Sequence, residues 1–291
     1  MPRSVLELFN EIKAETGSSQ TARWIVAEAI STPYYQALSL GLEVQDASIA
    51  KAKGFVERLQ RGEPIQYVLG RWGFRDLELI VDSRALIPRP ETEVVVEMAI
   101  RYLSRKALEH PRVLELGTGS GACAIAIATE VKGSYVLATD LSTEALSLAT
   151  TNLEAHKGRI SGQVELLRAD WFSAVDPAEQ AMIESGRFDL ILSNPPYINQ
   201  VDYDHLDPVV RNWEPKSALL SGRAGTEQLE TILEKAPRYL NKGASVVLEM
   251  DPSQVEKVAE FARSVGYQCE IFRDLAERER GLVATRPSIE E

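Results

Sequence analysis

Asn194-Pro195-Pro196-Tyr197 closes the apolar run "FDLILS" (188–193), and its residue types suit one kind of reaction. A planar NH₂ on an sp² carbon is a poor nucleophile because its lone pair is delocalised. Alkylating it requires the nitrogen to pyramidalise while positive charge builds up. Two acceptors set to take its two N–H bonds stabilise that charge, and the side-chain oxygen of Asn194 with the carbonyl of Pro195 form the natural pair. Proline fixes φ and presents no N–H to compete for those acceptors. Tyr197 can lay its ring over the planar group and hold it in line for transfer. The plainer reading is a strand ended by two prolines. No Ser/His/Asp or Cys/His nucleophile suggests itself, which agrees with direct transfer.

A second constellation lies upstream. "RVLELGTGSGACAIAIATEV" (112–131) reads as strand, glycine-rich turn and helix, with Gly117, Gly119 and Gly121 alternating. Such a turn lets the backbone approach a ligand closely. Asp140, at the end of the next strand pattern "SYVLATD", would reach the same carboxyl edge of a parallel sheet, where an acid can accept both hydroxyls of a ribose. The spacing is G-x-G-x-G rather than the dinucleotide pattern, which brings a pyrophosphate to a helix N-terminus. Glu115, just before the turn, would repel a pyrophosphate and suit an ammonium or sulfonium. These residues favour S-adenosylmethionine over NAD. Asp170 and Trp171 in "LLRADWF" follow a third strand pattern and are candidates for the adenine, against the plainer reading of a capping acid before core aromatics.

The elements that must position these groups follow from periodicity. The first sixty residues read as short helices, the first with Val5, Leu8, Phe9 and Ile12 on one face, Ser4 as cap and Gly17 as stop. Pro33 fits the start of another helix, and Asp46 the cap of a longer one reaching about Arg61. "YVLGRWGF" and "LELIVD" read as two short strands around Arg75-Asp76. From Glu93 onward helix and strand alternate, with strands predicted at 112–116, 134–139, 163–167, 188–193, 245–250, 269–273 and 282–285. Alternation implies a doubly wound α/β sheet, and the closeness of the last two strands an antiparallel edge pair. The division expected is a helical domain over 1–64, a hairpin linker over 65–85 and a catalytic domain over 86–291.

Composition bounds the function. The 291 residues are 44% hydrophobic and 26% charged, ordinary values for a globular protein with a sizeable core. No apolar stretch approaches bilayer length, and the acidic N-terminal segment resembles neither a secretory signal nor a transit peptide, so a cytoplasmic protein is expected. Cys123 and Cys269 stand far apart in apolar segments and read as buried thiols of a reducing compartment. The three histidines have no metal-ligand spacing, and no metal is expected. Residues 1–85 hold ten Lys/Arg and eleven Asp/Glu, leaving −10 of the net −11 on residues 86–291. That sign disfavours a phosphate-tracking groove. It weighs against a nucleic-acid adenine or cytosine N-methyltransferase, the leading alternative; a cofactor-binding module without activity is the third.

Tetrad, glycine loop and strand-end acid together resemble the class I S-adenosylmethionine-dependent amino-methyltransferases. "EPIQYVLG", "ALIPRPETEVVVE", "VLELGTGSGACAIAIA", "ATDLSTEAL", "ADWF", "SNPPYI", "WEPKSALLSG" and "DLAERER" resemble, in order, the HemK/PrmC family of protein-glutamine N5-methyltransferases, over about residues 62–285. The resemblance implies a Rossmann-like seven-stranded catalytic domain behind a small helical N-terminal domain. It implies methylation of the side-chain amide of the glutamine in the Gly-Gly-Gln motif of class I peptide chain release factors, without direct nucleic-acid binding or a membrane, by a monomer. Carried over by position, Gly117, Thr118, Gly119, Ser120, Gly121, Asp140, Leu141, Asp170, Trp171 and Asn194 would bind the cofactor. Asn194, Pro195, Pro196 and Tyr197 would hold the glutamine, with Arg89, Pro90 and Glu91 shaping the site; Pro90 also reads as a helix start with Glu91 and Glu93 in its first turn. Departures from the family pattern are Asp251 in "EMDPSQ" and Glu277 in "DLAERER", where glycine is usual, and "SGRAGTEQLE", which lacks the usual Asp-Gly-Leu.

Overall fold

Ser4 opens the first helix through a capping box: its hydroxyl accepts from the Glu7 N–H at 3.2 Å while the Glu7 carboxylate accepts from the Ser4 N–H at 2.8 Å. Gly17, at φ +67°, closes that helix, which runs Val5–Thr16. The structure is a computed structural model and describes residues 3–184 and 186–287. Contacts divide the chain into two units, Met1–Trp72 with Asp207–Trp213, and Gly73–Leu206 with Glu214–Glu291. The division falls inside the predicted hairpin linker. The return of Asp207–Trp213 to the first unit has no local signature.

In the first unit the helices Val5–Thr16, Ser19–Ile30, Tyr34–Ser39 and Asp46–Gln60 share a core of Leu8, Ile12, Ile25, Val26 and Ala52. Asp46 is the first helical residue and Gln45 takes the cap position, a shift of one from the expected cap. "YVL" is not a strand: Pro64 opens a short helix, Ile65–Leu69, that Gly70 ends at φ +75°. Proline's fixed φ suits a helix start, and the apolar run is too short for periodicity to reveal it. The hairpin strands are Arg71–Phe74 and Leu77–Ile80.

The second unit holds the central sheet. Its strands are β1 (Arg112–Leu116), β2 (Tyr135–Asp140), β3 (Gln163–Asp170), β4 (Ser173–Ala174), β5 (Phe188–Ser193), β6 (Leu240–Glu249), β7 (Gln268–Arg273) and β8 (Glu279–Thr285), in spatial order β7-β8-β6-β5-β1-β2-β3-β4. All seven predicted strands are present, and the two-residue β4 makes an eighth at the edge. β5, β6, β1, β2 and β3 run parallel, while β8 is antiparallel to both β6 and β7, the expected edge arrangement. One set of alternate residues (Leu114, Leu116, Leu137, Ile191, Val246, Leu248) packs with the helices Glu227–Lys235 and Val255–Ser264. The other set (Val113, Val136, Leu190, Val247) is equally buried, so the strands read as continuous apolar runs. Cys123 is buried, but Cys269 is only partly so, because β7 is an edge strand.

Candidate active site

From β1 the chain winds outward through β2 and β3, then returns to the far side of β1 as β5. The order reverses between β1 and β5, which is where an α/β sheet opens a crevice beyond its carboxyl ends. Register sets the level: Leu116 lies beside Thr139 of β2 and beside Ser193 of β5. Gly117, Asp140 and Asn194 therefore leave the sheet together. The Ser193 hydroxyl donates to the Leu116 carbonyl at 2.7 Å, and the Thr139 hydroxyl to the Glu115 carbonyl at 3.0 Å, locking the three strand ends.

Gly117, Gly119 and Gly121 have φ of +74°, +55° and +82°, so the alternation in sequence is a run of left-handed residues that side chains would strain. The turn bends over the strand-end acid. Asp140 accepts from the Gly119 N–H and from the Ser142 N–H, one on each oxygen and both at 2.9 Å, and each oxygen keeps capacity for a further donor. Burial raises its pKa. Glu115 is 3% exposed, and burial pushes its carboxyl up to about 8, against hydrogen bonds from the Thr118 hydroxyl (2.8 Å), Cys123 and the Ala124 N–H. Glu115, Gly117, Thr118, Gly119, Ser120, Asp140, Leu141, Asp170, Trp171, Asn194 and Pro196 all line one cavity of about 540 Å³. Trp171 holds φ +53°, uncommon for an aromatic, and its ring lies against Gly117. Gly121 faces Ala149 instead, so its role is helix packing.

Around the tetrad the expectations divide. Asn194 and Pro196 line the cavity, while Pro195 is buried beside it. Tyr197 packs against the core, with its carbonyl accepting from Gln254 Nε2 at 2.8 Å, and does not line the cavity as a covering ring would. Arg89 does line it, held by Glu214 at 2.5 Å; Glu214 is 5% exposed and also accepts from the Ile87 N–H at 3.1 Å. Pro90 and Glu91 do not. Pro90 begins the helix Pro90–Lys106, and Glu91 turns to Arg278 (3.1 Å) and Arg280 (3.3 Å). Residues three apart share a helix face, so Arg89 brings Thr92 to the cavity in place of its two neighbours.

Three further groups escaped sequence reasoning. Thr92 accepts the Asn194 Nδ2–H at 3.0 Å. Asn152, fully buried, donates to the carbonyls of Ser120 and Ile80 at 3.0 Å and accepts from the Ile80 N–H at 2.7 Å, tying the glycine loop to the hairpin. Glu214 sits 125 residues from Arg89. Thr92 and Glu214 carried a signal only as parts of the quoted "ALIPRPETEVVVE" and "WEPKSALLSG", and Asn152 carried none. Among the described residues, no group of His, Cys, Asp and Glu could hold a metal ion, and no helix is long and apolar enough to cross a membrane.

A family model described as lysine methyltransferase matches residues 90–210, less than half of the chain. Curated relatives cover far more. "Release factor glutamine methyltransferase" of Rhodopirellula baltica is 38% identical over 77% of this chain and 74% of its own length. The protein of the same name from Gloeobacter violaceus is 39% identical over 78% and 76%. The chain belongs to the release factor glutamine methyltransferase family. It is an S-adenosylmethionine-dependent methyltransferase of class I fold. Among solved structures, the hMettl16 catalytic domain in complex with MAT2A 3'UTR hairpin 6 shares that fold, with a TM-score of 0.53 at 14% identity over 85% of each chain.

Membership makes the two departures from the glycine pattern of the release factor glutamine methyltransferases informative. Asp251 holds φ −65°, open to any residue, and caps the next turn by accepting from the Ser253 N–H at 2.9 Å. Glu277 holds φ +60°, where glycine is at ease and a side chain is strained. Glu277→Gly is therefore expected to raise stability by about 1 kcal/mol, the left-handed strain less the extra chain entropy of glycine. Thermal and urea unfolding at neutral pH check this; an unchanged or lower midpoint would contradict it.

Proposed function

We propose that this enzyme transfers a methyl group to the side-chain amide nitrogen of the glutamine in the Gly-Gly-Gln motif of class I peptide chain release factors. The observation that carries the chemical part is the fixed amide of Asn194. Its Nδ2 is taken by Thr92, which leaves Oδ1 as an acceptor at the crevice, with the carbonyl of the adjoining Pro195 proposed as the second. That pair takes the two N–H bonds of an incoming primary amide and withdraws proton density as charge grows on nitrogen. The names of the relatives support the acceptor, and the net charge of −10 on residues 86–291 supports a protein substrate over a nucleic acid.

The residues present fit S-adenosylmethionine. Glycine backbone without Cβ atoms lines the cavity at Gly117 and Gly119, Asp140 retains acceptor capacity for ribose hydroxyls, and Glu115 is a buried carboxyl whose ionisation waits on a cation. When bound, this cofactor supplies a methyl group made electrophilic by its sulfonium. Leu141 and Trp171 offer apolar surface to the adenosine, and Asp170 an acceptor for the adenine amine. No side chain need abstract a proton before transfer, because the cationic N-methylated species first formed is acidic enough to lose its proton to water, leaving the neutral N-methyl amide.

Incubation with labelled S-adenosylmethionine and a release factor, native or carrying Gln→Ala in its Gly-Gly-Gln motif, tests the reading. Label is expected in the native factor alone. Label in both, or in nucleic acid instead, would overturn it.

A further inference from the structure

The oxygens proposed to receive the acceptor amide belong to Asn194 and Pro195, in a stretch of backbone that Pro195 and Pro196 deprive of two N–H donors. Such a stretch must be held from its ends. Upstream, Ser193 is fixed by its pairing with Leu116 and by its hydroxyl's bond to the Leu116 carbonyl at 2.7 Å. Downstream β5 has ended, and the anchors come from other segments. Ile198 donates to the Leu219 carbonyl at 3.1 Å and accepts from the Ser221 N–H at 2.7 Å. The Tyr197 carbonyl accepts from Gln254 Nε2 at 2.8 Å. Gln254 ends the turn Pro252–Gln254 that follows β6. Its Oε1 is buried without a hydrogen-bond partner, so the bond to Tyr197 selects the orientation of its amide; reversed, oxygen would face oxygen. Gly225 closes over the same bond. It holds φ +79°, and a Cβ there would fall 2.5 Å from Gln254 Nε2 and 2.6 Å from the Tyr197 carbonyl oxygen. A glutamine amide can swing away from such a contact. The Tyr197 carbonyl is backbone and cannot move without the tetrad.

The geometry points to Gln254 and Gly225 as positioning residues that fix the Tyr197 carbonyl and, through two prolines of fixed φ, the placement of the Asn194 and Pro195 oxygens. This rests on the function proposed above and adds to it what holds the tetrad in place. Neither residue is on the cavity wall, so each acts on the acceptor amide through the tetrad.

Gln254→Met keeps the length of the side chain and removes its donor. With a release factor as acceptor it is expected to lower kcat roughly 10–100-fold, the scale of one buried carbonyl left unpaired, with KM and cofactor affinity within about twofold. Gly225→Ala is expected to lower kcat roughly 100-fold with cofactor affinity equally preserved, the scale of a reacting group misplaced by about 1 Å. Both changes act on one carbonyl, so the double variant is expected to lose no more than about threefold beyond Gly225→Ala. A second readout needs no turnover. The Gln254 side-chain NH₂ resonances, identified by their loss in Gln254→Met, are expected to exchange slowly with solvent in the native protein and about tenfold faster or more in Gly225→Ala. Native kcat in Gln254→Met, cofactor affinity lost in step with kcat, or fully additive losses in the double variant would overturn the assignment. Absence of transfer by the native protein, with the expected difference in exchange, would count against the proposed acceptor and not against the anchor.

Discussion

Asn194→Ala is expected to lower kcat on a release factor roughly 10²–10³-fold, the usual cost of removing one preorganised group that meets transition-state charge. Cofactor affinity, read by calorimetry, is expected to change less than about threefold, because Asn194 is one of many cavity-lining residues while the proposed charge-bearing contacts fall to the buried carboxyls Glu115 and Asp140. The second acceptor proposed, the Pro195 carbonyl, is backbone and survives every substitution at Asn194. Residual transfer above the uncatalysed rate is therefore expected, which a nucleophile's removal would not leave. Loss of binding in proportion to kcat would mean that Asn194 mainly holds the cofactor.

Glu115→Gln is expected to act in opposite directions on stability and on binding. Burial raises Glu115 from its ordinary 4.5 to about 8, with Asp140 adding to the rise and Thr118, Cys123 and Ala124 opposing it. A carboxyl that is harder to ionise in the folded chain keeps a proton on folding. Its contribution to stability is full below about 4.5 and is lost as pH rises from there to about 8. Glutamine mimics the protonated state and carries no such loss. At pH 8.5 the variant without cofactor is expected to be more stable than the parent by about 2–4 kcal/mol, and near pH 4.5 to match it. Cofactor affinity moves the other way, since a neutral amide forfeits attraction to a buried cation; a weakening of about tenfold or more is expected at pH 8. Denaturant unfolding against pH, with and without the cofactor, separates the two effects. A variant destabilised at pH 8.5 would contradict the burial-raised ionisation of Glu115, and one binding cofactor normally there would show that Glu115 meets no cation.

What could be read from the sequence was what repeats locally. Gly117, Gly119 and Gly121 announce a left-handed turn because few other residues take one. Asp140 sits where a strand pattern stops, and β5 ends at two prolines. Helix–strand alternation placed all of these at one sheet edge. The residues that escaped act across distance: Asn152 joins segments 72 residues apart, and Thr92 meets Asn194 across 102. A buried polar side chain satisfied by a remote partner leaves no periodicity. The helix start misled in a different way. "PRPET" read as proline, glutamate and arginine shaping the site, but a helix turns successive residues by 100°, so Glu91 leaves for Arg278 and Arg280 while Thr92 enters. Tyr197 shows the limit of reading roles from a motif, for packing against the core took it off the cavity wall.

The central claim is that the accepted methyl sits on the N5 nitrogen of one glutamine. The most direct measurement treats a release factor with this enzyme and S-adenosylmethionine, sequences the Gly-Gly-Gln peptide by tandem mass spectrometry, and then hydrolyses that peptide in acid. A single methyl increment on the glutamine and release of methylamine on hydrolysis are the expected results, both forming roughly 10²–10³-fold more slowly with Asn194→Ala. A methyl found on a lysine or a carboxylate, or methanol in place of methylamine, would contradict the account.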